Sequence, residues 1–307
     1  MKKIYLSVLS LAIAAGASAQ KQTQNKSFKK SLPVASSMNA AKPTNNMTKA
    51  APLWSNTFAN QADWTVGHDA TACSLDWTFN TSCQGSYPIA DIESTTAADG
   101  WAMVDSDFYG GDTGGTEVED SWITTTNPIY DLNGYPNVVV EFESNYRNFN
   151  SENTYVVIGI GDGAGNVTWP ELTPTTDISM MNNVFEAHPL IGGGDNTENP
   201  ELRQVNISSA LVGLTPAQTA DLYLRFHWTG TWGYAWYVDD VKIVEQPADD
   251  VKNQGSFIVG TNNEGSEYGR TPLSQLDNTY DVGMVVYNFG INNQDPVNVT
   301  ADFGVFS

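Results

Sequence analysis

Basic residues are scarce in this chain, and histidine and cysteine are scarcer. Fourteen Lys and Arg stand against 35 Asp and Glu, and the two signs are segregated. No acidic residue precedes position 51, where eight lysines lie. From there on, only Arg147, Arg203, Arg225, Lys242, Lys252 and Arg270 face all 35 acids, a net charge of −29. A field of that sign repels nucleic acid and anionic lipid and attracts divalent cations, so DNA or RNA binding is excluded. The three histidines, His68, His188 and His227, are far apart, with no HExxH and no nucleophile elbow. Metalloprotease and serine-hydrolase chemistry is therefore left without residues. A glycosidase needs two carboxylates across a cleft, and among so many acids no pair stands out. No later apolar run is long enough to cross a bilayer. Helical periodicity is almost absent, apart from a short turn near Thr215-Pro216-Ala217-Gln218.

The only cysteines are Cys73 and Cys83, in ATACSLDWTFNTSCQG. No cluster of Cys or His accompanies them, which argues against a metal site. An even pair separated by a short loop in an exported chain predicts one disulfide, stabilising by roughly 2–3 kcal/mol on the chain-entropy model.

Export is read from the first residues. MKKIYLSVLSLAIAAGASA opens on Lys2 and Lys3, continues as an apolar run to about Ala15, and ends Ala17-Ser18-Ala19. That is a secretory signal peptide over 1–19, with cleavage before Gln20 and no transmembrane segment in the mature chain. Residues 20–52 are rich in Lys, Asn, Ser, Thr and Ala, too poor in large apolar residues to build a core, and are predicted to be a disordered linker.

Residues 53–246 change to short β-like runs separated by Gly, Asn, Asp and Pro: WAMVDS, DSWITT, NVVVEFESNY, TYVVIGIG, DLYLRFHW and YAWYVDDVKIV. Alternation in VVVEFES gives a strand with one wet face. Leu222, Leu224, Phe226 and Trp228 alternate on one face as core, and Trp236 reads likewise, which puts His227 on the opposite, surface face. This text predicts an all-β fold, a jelly-roll β-sandwich. Residues 251–307 read as a partial immunoglobulin-like β domain. The text ends inside an apparent strand, so the natural protein is expected to continue.

Four stretches, WSNTFANQADW, DGWAMVDSDFYG, EDSWITTTNPIYDL and LYLRFHWTGTWGYAWYVDDVKIVE, carry a resemblance in their order and spacing. The region resembles the choice-of-anchor J and cleaved-adhesin jelly rolls of exported Bacteroidota proteins, which are similar to MAM domains. The resemblance implies a secreted or cell-surface module that is not an enzyme and serves adhesion or carbohydrate binding, often with a structural calcium. Its implied partners are glycans or cell-surface proteins. Two alternatives remain open: an accessory part of a larger secreted hydrolase, and a structural spacer. A C-terminal sorting domain is not recognisable.

Two groups of residues are candidate sites. Asp239 and Asp240 sit side by side in the strand YVDDVKIV, where alternation should turn one of them inward. A buried carboxylate needs compensation. Either Ca²⁺, with its preference for six to eight oxygens, or backbone amides supply it. Asp105, Asp107 and Asp120 are the candidate further ligands, with Gly110-Gly111-Asp112 a weaker one. Asp239 is favoured as the inward ligand because Tyr237, Val241 and Ile243 share its parity. The second group is aromatic: Trp232, in the turn TGTWG, and Tyr234 are candidates for ligand binding.

Overall fold

The computed structural model describes residues 51–111, 116–260 and 280–294. The predicted signal peptide, nearly all of the predicted linker, and Asp112 lie outside them. The chain divides into two compact units, one of them Thr48–Gln246, with Pro247 onward in the other.

The first unit is built from two antiparallel sheets of six strands each. The first sheet holds β1 (Trp54–Asn56), β3 (Thr78–Phe79), β4 (Ala102–Asp105), β6 (Val138–Arg147), β10 (Glu201–Asn206) and β12 (Ala235–Glu245). The second holds β2 (Trp64–His68), β5 (Glu119–Thr125), β7 (Asn153–Gly161), β8 (Val167–Thr168), β9 (Val184–Glu186) and β11 (Leu222–Gly230). The strand orders are β10-β6-β12-β4-β3 and β2-β5-β11-β7-β8, with β1 on β12 and β9 on β7. From β4 to β7, and again from β10 to β12, successive strands alternate between the sheets. Each therefore delivers its apolar parity to one shared interior.

That interior is what the alternation in the sequence predicts. Phe226 of β11 meets Phe142 of β6 at 5.0 Å and Trp236 of β12 at 5.8 Å, centroid to centroid and edge to face. Trp228 and Trp236 are fully buried. The six runs legible in the sequence are β4, β5, β6, β7, β11 and β12. The helical turn is present as Pro216–Thr219, held by a capping box between Thr215 and Gln218. His227 departs from expectation. It shares a parity with the outer face, as expected, but is only 2% exposed because the Trp122 ring packs on it at 5.3 Å.

Both thiols are free, which corrects the expected Cys73–Cys83 bridge. Cys73 belongs to the main core, with Ala102, Val104 and Trp236, and its Sγ lies 3.4 Å from the Asp120 amide. Cys83 packs with Met103 and Tyr237, the opposite parity of the same two strands. One cysteine thus lies beneath the first sheet and the other on its outer face, and their Cβ atoms cannot meet.

In the second unit the described residues form an antiparallel pair, β13 (Val251–Gly260) with β14 (Tyr280–Asn288). The remainder of the expected immunoglobulin-like domain lies outside the described residues.

Candidate functional site

The aromatic candidates stand at one end of the sandwich, where three segments meet. Trp232 is 45% exposed, as is Phe149, and their ring centroids are 6.3 Å apart. Phe149 also tilts against Tyr234 at 4.8 Å, and Tyr87, 62% exposed, meets Tyr234 edge-on at 6.1 Å. The Arg147 guanidinium lies 4.2 Å from the Tyr234 ring centroid and donates from Nη1 to the Tyr87 carbonyl at 3.3 Å. Tyr234 itself is buried, so it is the floor of the cluster, while Trp232, Phe149 and Tyr87 are its wet surface.

Two buried glutamates hold this surface. Glu119 follows the inward parity of β5, with Ser121 and Ile123, and is fully buried. It accepts from Ser106 Oγ at 2.7 Å, Trp228 Nε1 at 2.7 Å and the Trp232 amide at 3.2 Å. Glu152 accepts from the amides of Phe149, Asn150 at 2.7 Å and Tyr234 at 3.4 Å. Gly233 closes the set by donating its amide to Ser106 Oγ at 2.7 Å. A side chain at Gly233 would strike Trp228 and Glu152, each within 2.7 Å, so the turn needs glycine there. Trp232 has φ of 61°, a left-handed conformation that costs a bulky residue of order 1–3 kcal/mol. The hydrogen bond that the Trp232 amide donates to Glu119 helps hold that backbone conformation. The loops also clasp each other, Asn150 Nδ2 donating to the Thr231 carbonyl at 3.1 Å.

The aspartates do not gather as expected. Asp105 caps the single-turn helix α1 (Ser106–Tyr109), accepting from Phe108 N at 3.0 Å and from Gln84 N at 2.7 Å. Asp107 accepts from Tyr87 N at 2.8 Å, and Asp120 pairs with His227 Nε2 on the other sheet. Asp239 and Asp240 lie elsewhere, against the loop 94–96. Asp239 accepts from Ser94 Oγ, Asp240 from Thr96 N at 2.8 Å, and Glu143 from Thr95 N at 2.5 Å. Among the described residues, no three His, Cys, Asp or Glu side chains come together closely enough to share a metal ion.

Parity fails at this pair for a local reason. β12 carries a bulge: Asp239 pairs with Glu143 and Lys242 with Glu141, so two residues oppose one. Asp240, at φ of 51°, is in the left-handed conformation at this bulge. Both aspartates therefore reach the same outer loop, and Val241 and Ile243, although they share the parity of Asp239, return to the core on the opposite face. Burial, then the charges of Asp240 and Glu143, push the Asp239 carboxyl up to about 7.

The histidines form no reactive constellation. His68 bonds Asp76 at the surface, and His188 is buried between Ser144 Oγ at 3.1 Å and Thr154 Oγ1 at 2.8 Å. That Ser–His contact is sealed within the core, out of reach of any substrate.

No family description matches the sequence, and no curated protein matches it either. Solved structures with a similar course of chain include the K1 cleaved adhesin domain of Lys-gingipain from Porphyromonas gingivalis W83. It is 16% identical at a TM-score of 0.31, over 62% of this chain and 95% of that one. A C-terminal family 22 carbohydrate-binding module of Clostridium thermocellum Xyn10B is 9% identical at 0.30, over 63% and 92%. The enzymatically active domain of bacteriophage CBA120 tailspike protein 4 is 10% identical at 0.34, over 64% of this chain and only 21% of that chain. Likenesses this distant leave the functional reading to the residues of this chain.

Burial raises the carboxyls of Glu119 and Glu152 above their ordinary value, and the charge of Glu152 raises Glu119 further. A carboxyl raised in the folded state favours folding below its unfolded pKa, and that contribution is lost as pH rises through the folded value. Denaturant unfolding at about pH 5 and about pH 8 should therefore give the higher stability at the acid end, with Glu152→Gln reducing the difference.

Proposed function

We propose that this chain is an exported, non-catalytic β-sandwich module that binds carbohydrate through the platform of Trp232, Phe149 and Tyr87. The carrying observation is that a tryptophan is held half exposed in a strained backbone conformation by a buried carboxylate. An indole exposed for no purpose would cost solubility and strain alike. Fixed in advance, it offers a flat apolar face to the C–H side of a sugar ring with little ordering cost on binding. Arg147 supplies a polar edge beside that face. The four sequence motifs support placing the chain among adhesin-like jelly rolls of the choice-of-anchor J type. Secretion rests on the N-terminal signal, and no helix among the described residues is long and apolar enough to cross a membrane. A glycan array probed with the full chain should retain a restricted set of sugars. Trp232→Ala should weaken them by about tenfold or more, as truncating a central interface tryptophan does, while leaving the melting temperature nearly unchanged. A featureless array, or undiminished binding by the variant, would refute this reading.

Calcium enters the proposal through the loop 94–96. Asp239 and Asp240 both face it, and with the Ser94 and Thr96 hydroxyls they offer oxygen donors of the kind Ca²⁺ prefers. Those two aspartates, not Asp105, Asp107 or Asp120, would hold the ion. It would neutralise crowded carboxylates and tie the loop to the sheet. EDTA should lower the melting temperature and Ca²⁺ restore it, by about 2.7 kcal/mol at a hundredfold excess over its dissociation constant, with Mg²⁺ much less effective. A melting temperature indifferent to EDTA at low and high salt leaves the loop donors as the sole compensation.

A further inference from the structure

The outer face of the second sheet carries a second aromatic strip, made by residues other than those of the Trp232 platform. Trp122 of β5 lies over Gly67 of β2, where a Cβ would come within 2.5 Å of the indole. Trp169, just beyond β8, covers Gly159 of β7, where a Cβ would come within 2.6 Å of its ring. Two glycines therefore let two indoles lie down on the sheet. Between them stands Arg225 of β11, its guanidinium carbon 4.5 Å from the Trp122 ring centroid and 3.8 Å from that of Trp169. Both indoles remain partly exposed, whereas Arg225 is 7% exposed.

The arginine has the wrong company for a purely structural residue. Its Nε donates to Thr124 Oγ1 at 3.0 Å, and among the described residues no other hydrogen bond or ion pair involves the guanidinium. Asp120, the acid whose charge it feels, is bonded instead to His227. In a chain with 35 acidic residues, a desolvated guanidinium without a carboxylate in reach is an unmet demand. Its terminal nitrogens are not fully buried, so the edge of the guanidinium is the part that a planar carboxylate could reach.

We propose that this strip binds a uronic acid residue of an acidic glycan, its carboxylate on the Arg225 fork and its pyranose ring against Trp122 or Trp169. The inference concerns a second site and does not depend on the Trp232 platform. The occupant is a short acidic oligosaccharide, since the strongly negative domain repels a long polyanion. Two indoles flank the guanidinium carbon and hold it in place, which suits recognition of a carboxylate at its edge.

The test is calorimetric titration of the full chain with trigalacturonate and with its methyl ester, in which methylation removes the carboxylate charges and leaves the sugar rings unchanged. The acid should bind at least about tenfold more tightly than the ester, and Arg225→Lys, which keeps the charge and loses the fork, should remove that preference. Trp122→Ala should weaken the acid, while Trp232→Ala should leave it unchanged. If Arg225→Lys fails to fold, the acid-to-ester ratio in the wild type and the Trp122→Ala result decide alone. Absence of acid binding up to millimolar concentration, equal binding of acid and ester, or a preference intact in a folded Arg225→Lys variant overturns the proposal. Acid binding abolished by Trp232→Ala also overturns it, and leaves the platform reading standing.

Discussion

Glu119 and Glu152 are nearly cut off from solvent, and the end of the sandwich is organised around them. Each takes backbone amides that the loops cannot satisfy through the sheet ladder: Trp232 on one carboxylate, and Phe149, Asn150 and Tyr234 on the other. A carboxylate in a poorly polarisable interior is costly, and an amide left unbonded there is costly too. Bringing the two together offsets part of both penalties and ties the loops to the strands beneath. Removing either glutamate strands several donors at once, which is why such groups behave as networks and not as separate bonds. The exposed aromatics depend on this arrangement, because a loose turn would fold Trp232 back onto apolar surface.

The same solution recurs on the opposite side of the first sheet. There a three-residue loop, Ser94-Thr95-Thr96, caps Asp239, Glu143 and Asp240 in turn. In both places an acidic protein with few cations compensates buried carboxylates with hydroxyls and amides, because arginine and lysine are not at hand. Arg225 inverts that economy: one of the few guanidiniums in the domain is pressed between indoles and makes no ion pair among the described residues.

The fold was largely legible, since alternation in VVVEFES and LYLRFHW places Phe142, Phe226 and Trp228 in the core without further help. The inward Glu119 is not legible in the sequence, where the β-like run begins at Asp120, although it shares the parity of Ile123. What could not be read depends on contacts distant in sequence or on a single backbone angle. The φ of 51° at Asp240 shifts every later residue of β12 by one face, so the inward assignment of Asp239 from Val241 and Ile243 fails. Tyr87, Phe149 and Trp232 lie in three unrelated turns, and only the folded chain makes them one surface. Cys73 and Cys83, close along the chain, are separated by the thickness of a sheet.

The central claim is that buried carboxylates, not loop packing, fix the aromatic platform. Amide hydrogen exchange at Phe149, Asn150, Trp232, Gly233 and Tyr234 tests it most directly. These amides lie in surface turns, yet they should exchange as slowly as neighbouring strand amides in β7 and β11, and Glu152→Gln should speed those of Phe149, Asn150 and Tyr234 selectively. Exchange of all five at the rate of unstructured loop amides in the wild-type protein would contradict the account.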